Sequence, residues 1–217
     1  MSEPVKAKRG YNSVRRRAQA DDTRRAIVEA AGRLFERQGY AATSMAAVAA
    51  EAGVALKTLY LAFAGKGDIL SALWDTRLRG GEDAAPVGAQ PWYREVLDEP
   101  DPARQLALNA RNSRRVKERI GAVAGVIRNA APSDPMIEAL WRRIQEAFYE
   151  NQRAIVASLA AKGALKPGLD VDRAADLLWM LNHPDQWLLL VGQRGWSPAA
   201  YEQWFAETAR EQLLGRA

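Results

Sequence analysis

The chain has 217 residues, a formal net charge of +5 at pH 7, no cysteine and a single histidine, His183. This length suffices for one large domain, or for a small domain joined to a larger one, with a core that needs no covalent support. The lack of cysteine excludes disulfides, thiolate metal sites and a thiol nucleophile, and one histidine cannot form a histidine cluster around a metal. We therefore expect neither a metal nor another cofactor.

The sequence also bears on where the protein works. No apolar run approaches the ~20 residues that a membrane span requires. The first ten residues, MSEPVKAKRG, are polar and lack the apolar centre of a secretion signal. We expect a cytoplasmic protein.

Positive charge is concentrated at one end of the chain. Residues 1–25 contain eight basic and three acidic residues, so their excess equals the net charge of the whole chain. Such a block commonly meets an anionic partner. A solvated terminus without a partner is the alternative. We predict a basic, flexible arm over residues 1–20.

The first predicted helix follows this arm and carries an amphipathic stripe. Asp21, Asp22 or Thr23 can cap its start, and Gly39 is suited to its end. Apolar residues recur at the spacing of one helical face, and they are Ile27, Ala30, Ala31, Leu34 and Phe35.

Two short helices and a tight turn come next. Thr43 offers an N-cap to the first of them, and Gly53 ends it. Residues 54–63, VALKTLYLAF, then form the second short helix. Asp68 caps a fourth helix beyond a pair of glycines.

The rest of the chain predicts longer helices after a break. Residues 80–100 are rich in glycine and proline and form a long connection, with a short helical turn at WYREVL. Apolar stripes then indicate several helices. Pro184 kinks or restarts one of them, and Ser197 with Pro198 begins a terminal helix. No strand pattern is convincing, so we predict an all-α protein.

A helix, a tight turn and a short helix form the arrangement of a helix-turn-helix. Ala49 and Gly53 supply the small residue and the turn glycine that its packing needs, while Val54 and Leu59 would hold the second helix against the core. That helix can lie in a DNA major groove, where lysine reaches guanine or phosphate and hydroxyls reach phosphate. A helical cluster without a DNA partner is the alternative. The outward side chains would be Ala55, Lys57, Thr58, Tyr60 and Leu61.

Residues 23–70 resemble the DNA-binding domain of the tetracycline-repressor (TetR) family almost throughout. The most specific pieces are AGRLFERQGYAATSM, AAEAGV and TLYLAFAGKGDIL. The resemblance implies an N-terminal three-helix helix-turn-helix DNA-binding domain, over residues 21–67. It also implies a larger α-helical domain for ligand binding and dimerisation, over residues 68–217.

The resemblance further implies which residues touch DNA. Thr58, Tyr60 and Lys66 match positions that hold the DNA backbone, and a helix start at residues 43–44 commonly faces phosphate. Lys57 and Leu61 depart from the family pattern, which leaves the operator sequence open. An arginine-rich extension can also enter the minor groove. The candidate DNA-binding residues are Arg9, Arg15, Arg16, Arg17, Thr43, Ser44, Lys57, Thr58, Tyr60, Leu61 and Lys66.

In the larger domain the family keeps about six helices, with an effector pocket and a dimer interface. A pocket of this kind is apolar with a few polar anchors. We expect no more than half of its candidates to line it, and His183 beside Pro184 is better explained as a helix-kink residue. The candidates are Trp74, Asn109, Arg111, Trp141, Gln145, Phe148, Trp179, Asn182 and His183.

The last two long helices are rich in apolar residues and would form a two-fold, four-helix interface. The core of a monomer is the alternative. The residues concerned are Leu177, Leu178, Leu181, Trp187, Leu188, Leu190, Val191, Trp204 and Phe205.

The favoured function is a homodimeric transcriptional regulator, a repressor that binds a palindromic double-stranded DNA operator and is released by a small-molecule effector. The alternative is a non-specific DNA-binding protein that is driven by the arm and has no ligand. An enzyme is not expected, because the sequence has no glycine-rich phosphate loop, nucleophile elbow or metal-ligand spacing.

Overall fold

The computed structural model describes residues 8–80 and 87–215, with side chains from residue 16 onward. The chain divides into two compact units, Met1–Leu73 and Trp74–Ala217. The boundary lies six residues after the predicted one. All seven tryptophans of the sequence lie in the second unit.

The described residues are almost entirely helical, as predicted. They contain no β-strand apart from an isolated bridge between Leu165 and Leu214. Single 3₁₀ turns lie at Val87–Ala89 and Ala131–Ser133, and a π-helical segment spans Leu188–Gln193. The helices are α1 (Lys8–Gln38), α2 (Met45–Glu51), α3 (Leu56–Ala62), α4 (Lys66–Arg79), α5 (Pro91–Asp98), α6 (Pro102–Ala130), α7 (Pro135–Ala161), α8 (Val171–Leu181), α9 (Pro184–Trp187) and α10 (Pro198–Leu213).

Helix α1 is longer than predicted. It begins at Lys8 instead of at residues 21–23, so residues 8–20 of the predicted arm are helical. The supposed capping groups act within the helix, because the Thr23 hydroxyl donates to the Gln19 carbonyl and Asp22 pairs with Arg25. The predicted end is confirmed: Gly39 has φ +82°, a left-handed conformation that favours glycine. The predicted stripe is also confirmed, and its five residues are at most 4% exposed.

Helices α2 and α3 form a helix-turn-helix whose turn is closed by a Schellman motif. Gly53 has φ +67°, its N–H donates to the Ala50 carbonyl, and the Val54 N–H donates to the Ala49 carbonyl. The two helices are bent by 105° at this break, within the usual range for the motif. Leu59 is the buried residue of α3 and is fully inaccessible.

No single helix of the described ranges is long and apolar enough to cross a membrane. Helices α2 and α3 pass that test only when taken together, by length and composition.

The second unit is built around α6, α7, α8 and α10. Three of these helices begin with proline directly after a capping side chain, at Asp101, Asp134 and Ser197. The proline lacks the N–H that would be unsatisfied there, and the cap accepts from an amide of the first turn. The terminal helix at Ser197 and the short helix at WYREVL are therefore confirmed.

The apolar helices near the end of the chain already serve the core of their own unit, and the predicted break at Pro184 is confirmed. Helix α8 ends at Leu181, α9 restarts at Pro184, and the chain then widens into the π-helical segment. The interface prediction is thus corrected for four residues that are at most 8% exposed within the chain: Leu178, Leu181, Trp187 and Phe205.

Candidate functional site

The polar face of α3 is presented outward on an apolar anchor. Tyr60 is 53% exposed and Leu61 is 81% exposed, and Lys57 and Thr58 are exposed beside them. The anchor consists of Leu59 and Phe63, which are 0% and 3% exposed. The face thus has the form of a helix that reads DNA in the major groove.

Arg24 of α1 fixes the end of α3, a contact that sequence reasoning did not find. Its guanidinium donates to the Ala62 carbonyl at 2.8 Å and lies 3.9 Å from the centre of the Phe63 ring. A cation at a helix C-terminus also meets the negative end of the helix dipole. Arg24 therefore orients α3 instead of only adding to the basic charge of the first residues.

The candidates at the start of α2 divide into one exposed cap and one buried residue. Ser44 is the N-cap, and its Oγ accepts from the Ala47 N–H at 3.1 Å. Thr43 was predicted to be the cap and to face phosphate, but it is 2% exposed. Its hydroxyl donates to the Gly39 carbonyl at 2.8 Å, so the prediction for Thr43 is corrected.

Lys66 lies at the first position of α4, where the resemblance placed a DNA-backbone contact. Its ammonium donates to the Tyr40 carbonyl at 2.7 Å and lies 4.2 Å from the centre of the Tyr40 ring. The ammonium thus joins the start of α4 to the turn after α1.

The predicted arginines of the arm belong to α1. Arg16 and Arg17 are exposed. The side chains of Arg9 and Arg15 lie outside the described residues, although the backbone there is helical.

The second unit contains a partly open cavity of about 300 Å³. This is at the lower end of the volumes found for small-molecule sites. Helix α6 contributes one face, with Asn109, Ser113, Val116, Lys117 and Ile120 at helical spacing. Most of the remaining lining comes from α4, α5 and α7, and it includes Trp74, Trp92, Leu140, Ile144, Phe148 and Ile155.

Five of the nine predicted pocket residues line this cavity, slightly more than expected. They are Trp74, Asn109, Gln145, Phe148 and Asn182.

The other four predicted residues do not line it. Arg111 pairs with Glu95 at 3.5 Å. His183 caps α9 by accepting from the Asp185 N–H, and burial lowers the pKa of its imidazole. Trp141 and Trp179 pack edge-on against the His183 ring, with ring centres 6.4 and 5.0 Å apart. Phe148 of the lining packs against the same ring, so these three aromatic groups adjoin the lining without being part of it.

Lys117 is the polar lining residue that sequence reasoning missed. It is 4% exposed, and its Nζ donates to Asn182 Oδ1. The Asn182 amide in turn donates to Gln152 Oε1 at 3.1 Å. Burial lowers the pKa of Lys117 from 10.5 to about 7, because the charged form loses its hydration. Its position on the apolar face of α6, three residues before Ile120, is the signal that could have identified it.

These two sites define a helix-turn-helix protein with a ligand-sized cavity in its second unit, and comparison with known proteins agrees. Residues 27–73 match the family profile "Bacterial regulatory proteins, tetR family". The HTH-type transcriptional regulator TtgR of Pseudomonas putida is 30% identical over 187 residues, which cover 81% of this chain and 85% of TtgR. The chain belongs to the TetR family of DNA-binding transcriptional regulators.

Solved structures support the same fold. A transcriptional regulator of Saccharomonospora viridis in complex with choline has a TM-score of 0.69 at 20% identity, over 90% of this chain and 100% of that one. SmeT in complex with triclosan has a TM-score of 0.69 at 16% identity, over 89% and 92% of the two chains. TtgR is a transcriptional regulator and not an enzyme, which agrees with the expectation that this chain is not an enzyme.

Proposed function

We propose that this protein is a cytoplasmic repressor that binds a palindromic operator as a homodimer and leaves it when a small molecule occupies the cavity. The observation that carries this proposal is the presence, in one chain, of an outward polar face on α3 and a partly open cavity in the second unit. The first feature suits DNA and the second suits a ligand.

Two structural relatives support the effector. SmeT was solved with triclosan, and the Saccharomonospora viridis regulator with choline. Both have the fold of this chain, and each held a small molecule. The ligands differ in charge and shape, so the chemistry of the present cavity has to be inferred from its own residues.

Helix α4 is the element through which the cavity would act on DNA. Its first residue, Lys66, holds the Tyr40 carbonyl near the helix-turn-helix, and Trp74, Asp75 and Leu78 of the same helix line the cavity. A ligand that displaces this helix would shift the equilibrium between DNA-competent and released states. The shift is limited to the ratio of the ligand's affinities for the two states.

The proposed dimer surface includes apolar side chains that the chain itself leaves accessible. Leu189 is 47% exposed and Trp196 is 37% exposed, in and just after the π-helical segment. Leu188, Leu190 and Val191 are half-buried beside them. To bind a palindrome, the two copies of such a dimer would place their α3 helices at half-sites about one helical turn apart, roughly 34 Å.

The decisive experiment is a fluorescence-anisotropy titration with DNA from the upstream region of the protein's own gene and with a scrambled control. We expect a preference of about 10³-fold or more for the upstream DNA. Equal affinities with a steep salt dependence would instead favour the non-specific alternative, in which phosphate contacts from α1, at residues such as Arg16 and Arg17, supply the binding.

We expect Tyr60→Phe to lower the affinity for both DNAs by about tenfold, because it removes only a hydroxyl that would donate to phosphate. Since Tyr60 is half exposed, the free energy of unfolding should change by less than about 0.5 kcal/mol. The same titration measures the effect. Unchanged affinity for both DNAs would remove Tyr60 from the phosphate contacts, and a loss confined to the upstream DNA would assign it to base reading.

A further inference from the structure

The cavity holds a buried cation that has no counter-charge among the described residues. Lys117 is 4% exposed, and Asn182 Oδ1 is the one acceptor of the described chain that its ammonium reaches. No carboxylate of these residues forms an ion pair with it, and desolvation alone lowers its pKa. The ammonium also lies 5.4 Å from the centre of the Tyr201 ring, but an aromatic face carries no net charge, so the cost of burying an ammonium without a counter-ion remains.

We propose that the effector is a small amphipathic carboxylate whose charged end is bound by Lys117 and whose apolar body fills the rest of the cavity. This inference rests on the proposed role of the cavity as the effector site. It specifies the chemical class of the ligand, which neither the fold nor the relatives supply.

Two side-chain amides of the lining are hydrogen-bond donors without an acceptor among the described residues. Asn109 Nδ2 and Gln145 Nε2 are both buried and have no hydrogen-bond partner among the described residues. Asn109 is 6% exposed, and it lies on the same face of α6 as Lys117, two turns earlier. The oxygen of Gln145 is already engaged by the His183 ring at 3.0 Å. A carboxylate offers about four lone-pair sites and can satisfy an ammonium and amide N–H groups together.

The remaining lining suits an apolar body. Large aromatic and aliphatic side chains line the cavity from four helices, and they are Trp74, Trp92, Ile120, Leu140, Ile144 and Phe148. Such a surface favours a hydrocarbon or aromatic group over a polyhydroxylated one.

The charge of the lining also argues against a cation. Asp75 is the acidic residue among the lining residues, and it is exposed. Arg143 lies in the same lining and is also exposed, so the exposed lining residues carry one negative and one positive charge. Lys117 is thus the charge that a buried ligand would meet.

The test uses matched ligands and the full chain. Octanoate, benzoate and naphthoate are compared with their primary amides, which keep the shape and lose the charge. Binding is measured by titration calorimetry, together with the thermal unfolding midpoint, which a ligand of the folded state raises. We expect at least one carboxylate to bind, with its amide at least about tenfold weaker. If no carboxylate binds, or if the amides bind as tightly, the proposal is wrong.

Two variants locate the interaction. Lys117→Met should abolish the preference for the carboxylate over its amide. Lys162→Met, the same change at an exposed lysine outside the lining, should retain the preference. A preference that survives in Lys117→Met would place the anion elsewhere and overturn the proposal, provided that the variant shows a wild-type far-ultraviolet spectrum. Lys117→Gln serves as a second variant if the Met variant does not fold.

A DNA-release assay separates this inference from the proposed function. If an amide or an amine occupies the cavity and releases the upstream DNA, the chain is ligand-responsive but its effector is not an anion. If the carboxylate binds through Lys117 and the DNA remains bound, the anion site stands and the proposed release mechanism fails.

Discussion

Leu59→Ala is expected to destabilise the helix-turn-helix by about 3 kcal/mol and to abolish most specific DNA binding. Leu59 is completely buried and is the buried residue of α3, which has only seven residues. Its loss removes apolar burial and leaves a cavity between α3 and the core. Such a short helix is not stable without tertiary packing, so the outward face of α3 loses its fixed orientation.

Leu61→Ala provides a matched control, since it is the same change two residues along the same helix. Leu61 is 81% exposed, and we expect the free energy of unfolding to change by less than about 0.5 kcal/mol. Urea unfolding followed by far-ultraviolet circular dichroism, with DNA titrations of both variants, checks the pair. Equal destabilisation by the two changes would contradict the role of Leu59 as the buried anchor of α3.

Any effect of Leu61→Ala on DNA affinity should depend on the base sequence, because an apolar side chain there can contact a thymine methyl group.

The second large effect is a rise in stability with pH that depends on Lys117. Its pKa is 10.5 in an unfolded chain and about 7 in the folded protein. Below pH 7 both states hold the proton, so folding bears the full cost of a buried charge. Between about pH 7 and 10 the unfolded state alone stays protonated, and the free energy of unfolding therefore increases. A pKa lowered by this amount corresponds to about 5 kcal/mol of stability at most.

The check is the free energy of unfolding in urea from pH 7 to just below 10, for the wild type and for Lys117→Met. The variant should lose the pH-dependent rise and should be more stable than the wild type at pH 7. This increase in the free energy of unfolding will be partly cancelled, because Asn182 Oδ1 loses its hydrogen-bond donor in the variant. The exposed Lys162→Met control should retain the rise. Burial also raises the pKa of Tyr201. Above pH 10 the unfolded state therefore loses this proton first, and the free energy of unfolding falls.

If the free energy of unfolding of Lys117→Met still rose with pH as in the wild type, another titrating group would be responsible. The pKa of His183 is lowered by burial, but its contribution changes below its ordinary value of 6.5 and lies outside this window.

The sequence was sufficient to predict the features that depend on local chemistry. The stripe from Ile27 to Phe35 follows from helical periodicity, and the turn at Gly53 requires a conformation that glycine adopts most easily. The outward side chains of α3 follow from the same periodicity once Leu59 is assigned to the core.

Features that depend on tertiary context were not predictable in the same way. Thr43 and Ser44 are both good N-caps, and only the folded chain shows that Thr43 bonds to Gly39 instead. The start of α1 was misplaced because Asp22 and Thr23 can be accommodated inside a helix as well as at its end. Lysine is usually a surface residue, so the buried position of Lys117 became evident only from the packing around it.

The candidate pocket residues illustrate the same limit. Asn109, Gln145 and Phe148 were predicted from residue type alone and do line the cavity. Trp141 and Trp179 are also aromatic and pack against His183, as Phe148 does, yet they do not line the cavity. The difference lies in which face of each helix meets a neighbour, and residue type does not determine that.

The distribution of tryptophan has an optical consequence. Since all seven indoles lie in the second unit, and Trp74 and Trp92 line the cavity, excitation near 295 nm reports on the second unit alone. The emission of the unlabelled protein is thus a built-in reporter of cavity occupancy, whereas the helix-turn-helix is silent at that wavelength. A tryptophan placed at Tyr60 would add a signal from the DNA-reading surface, and the two halves could then be followed in one chain.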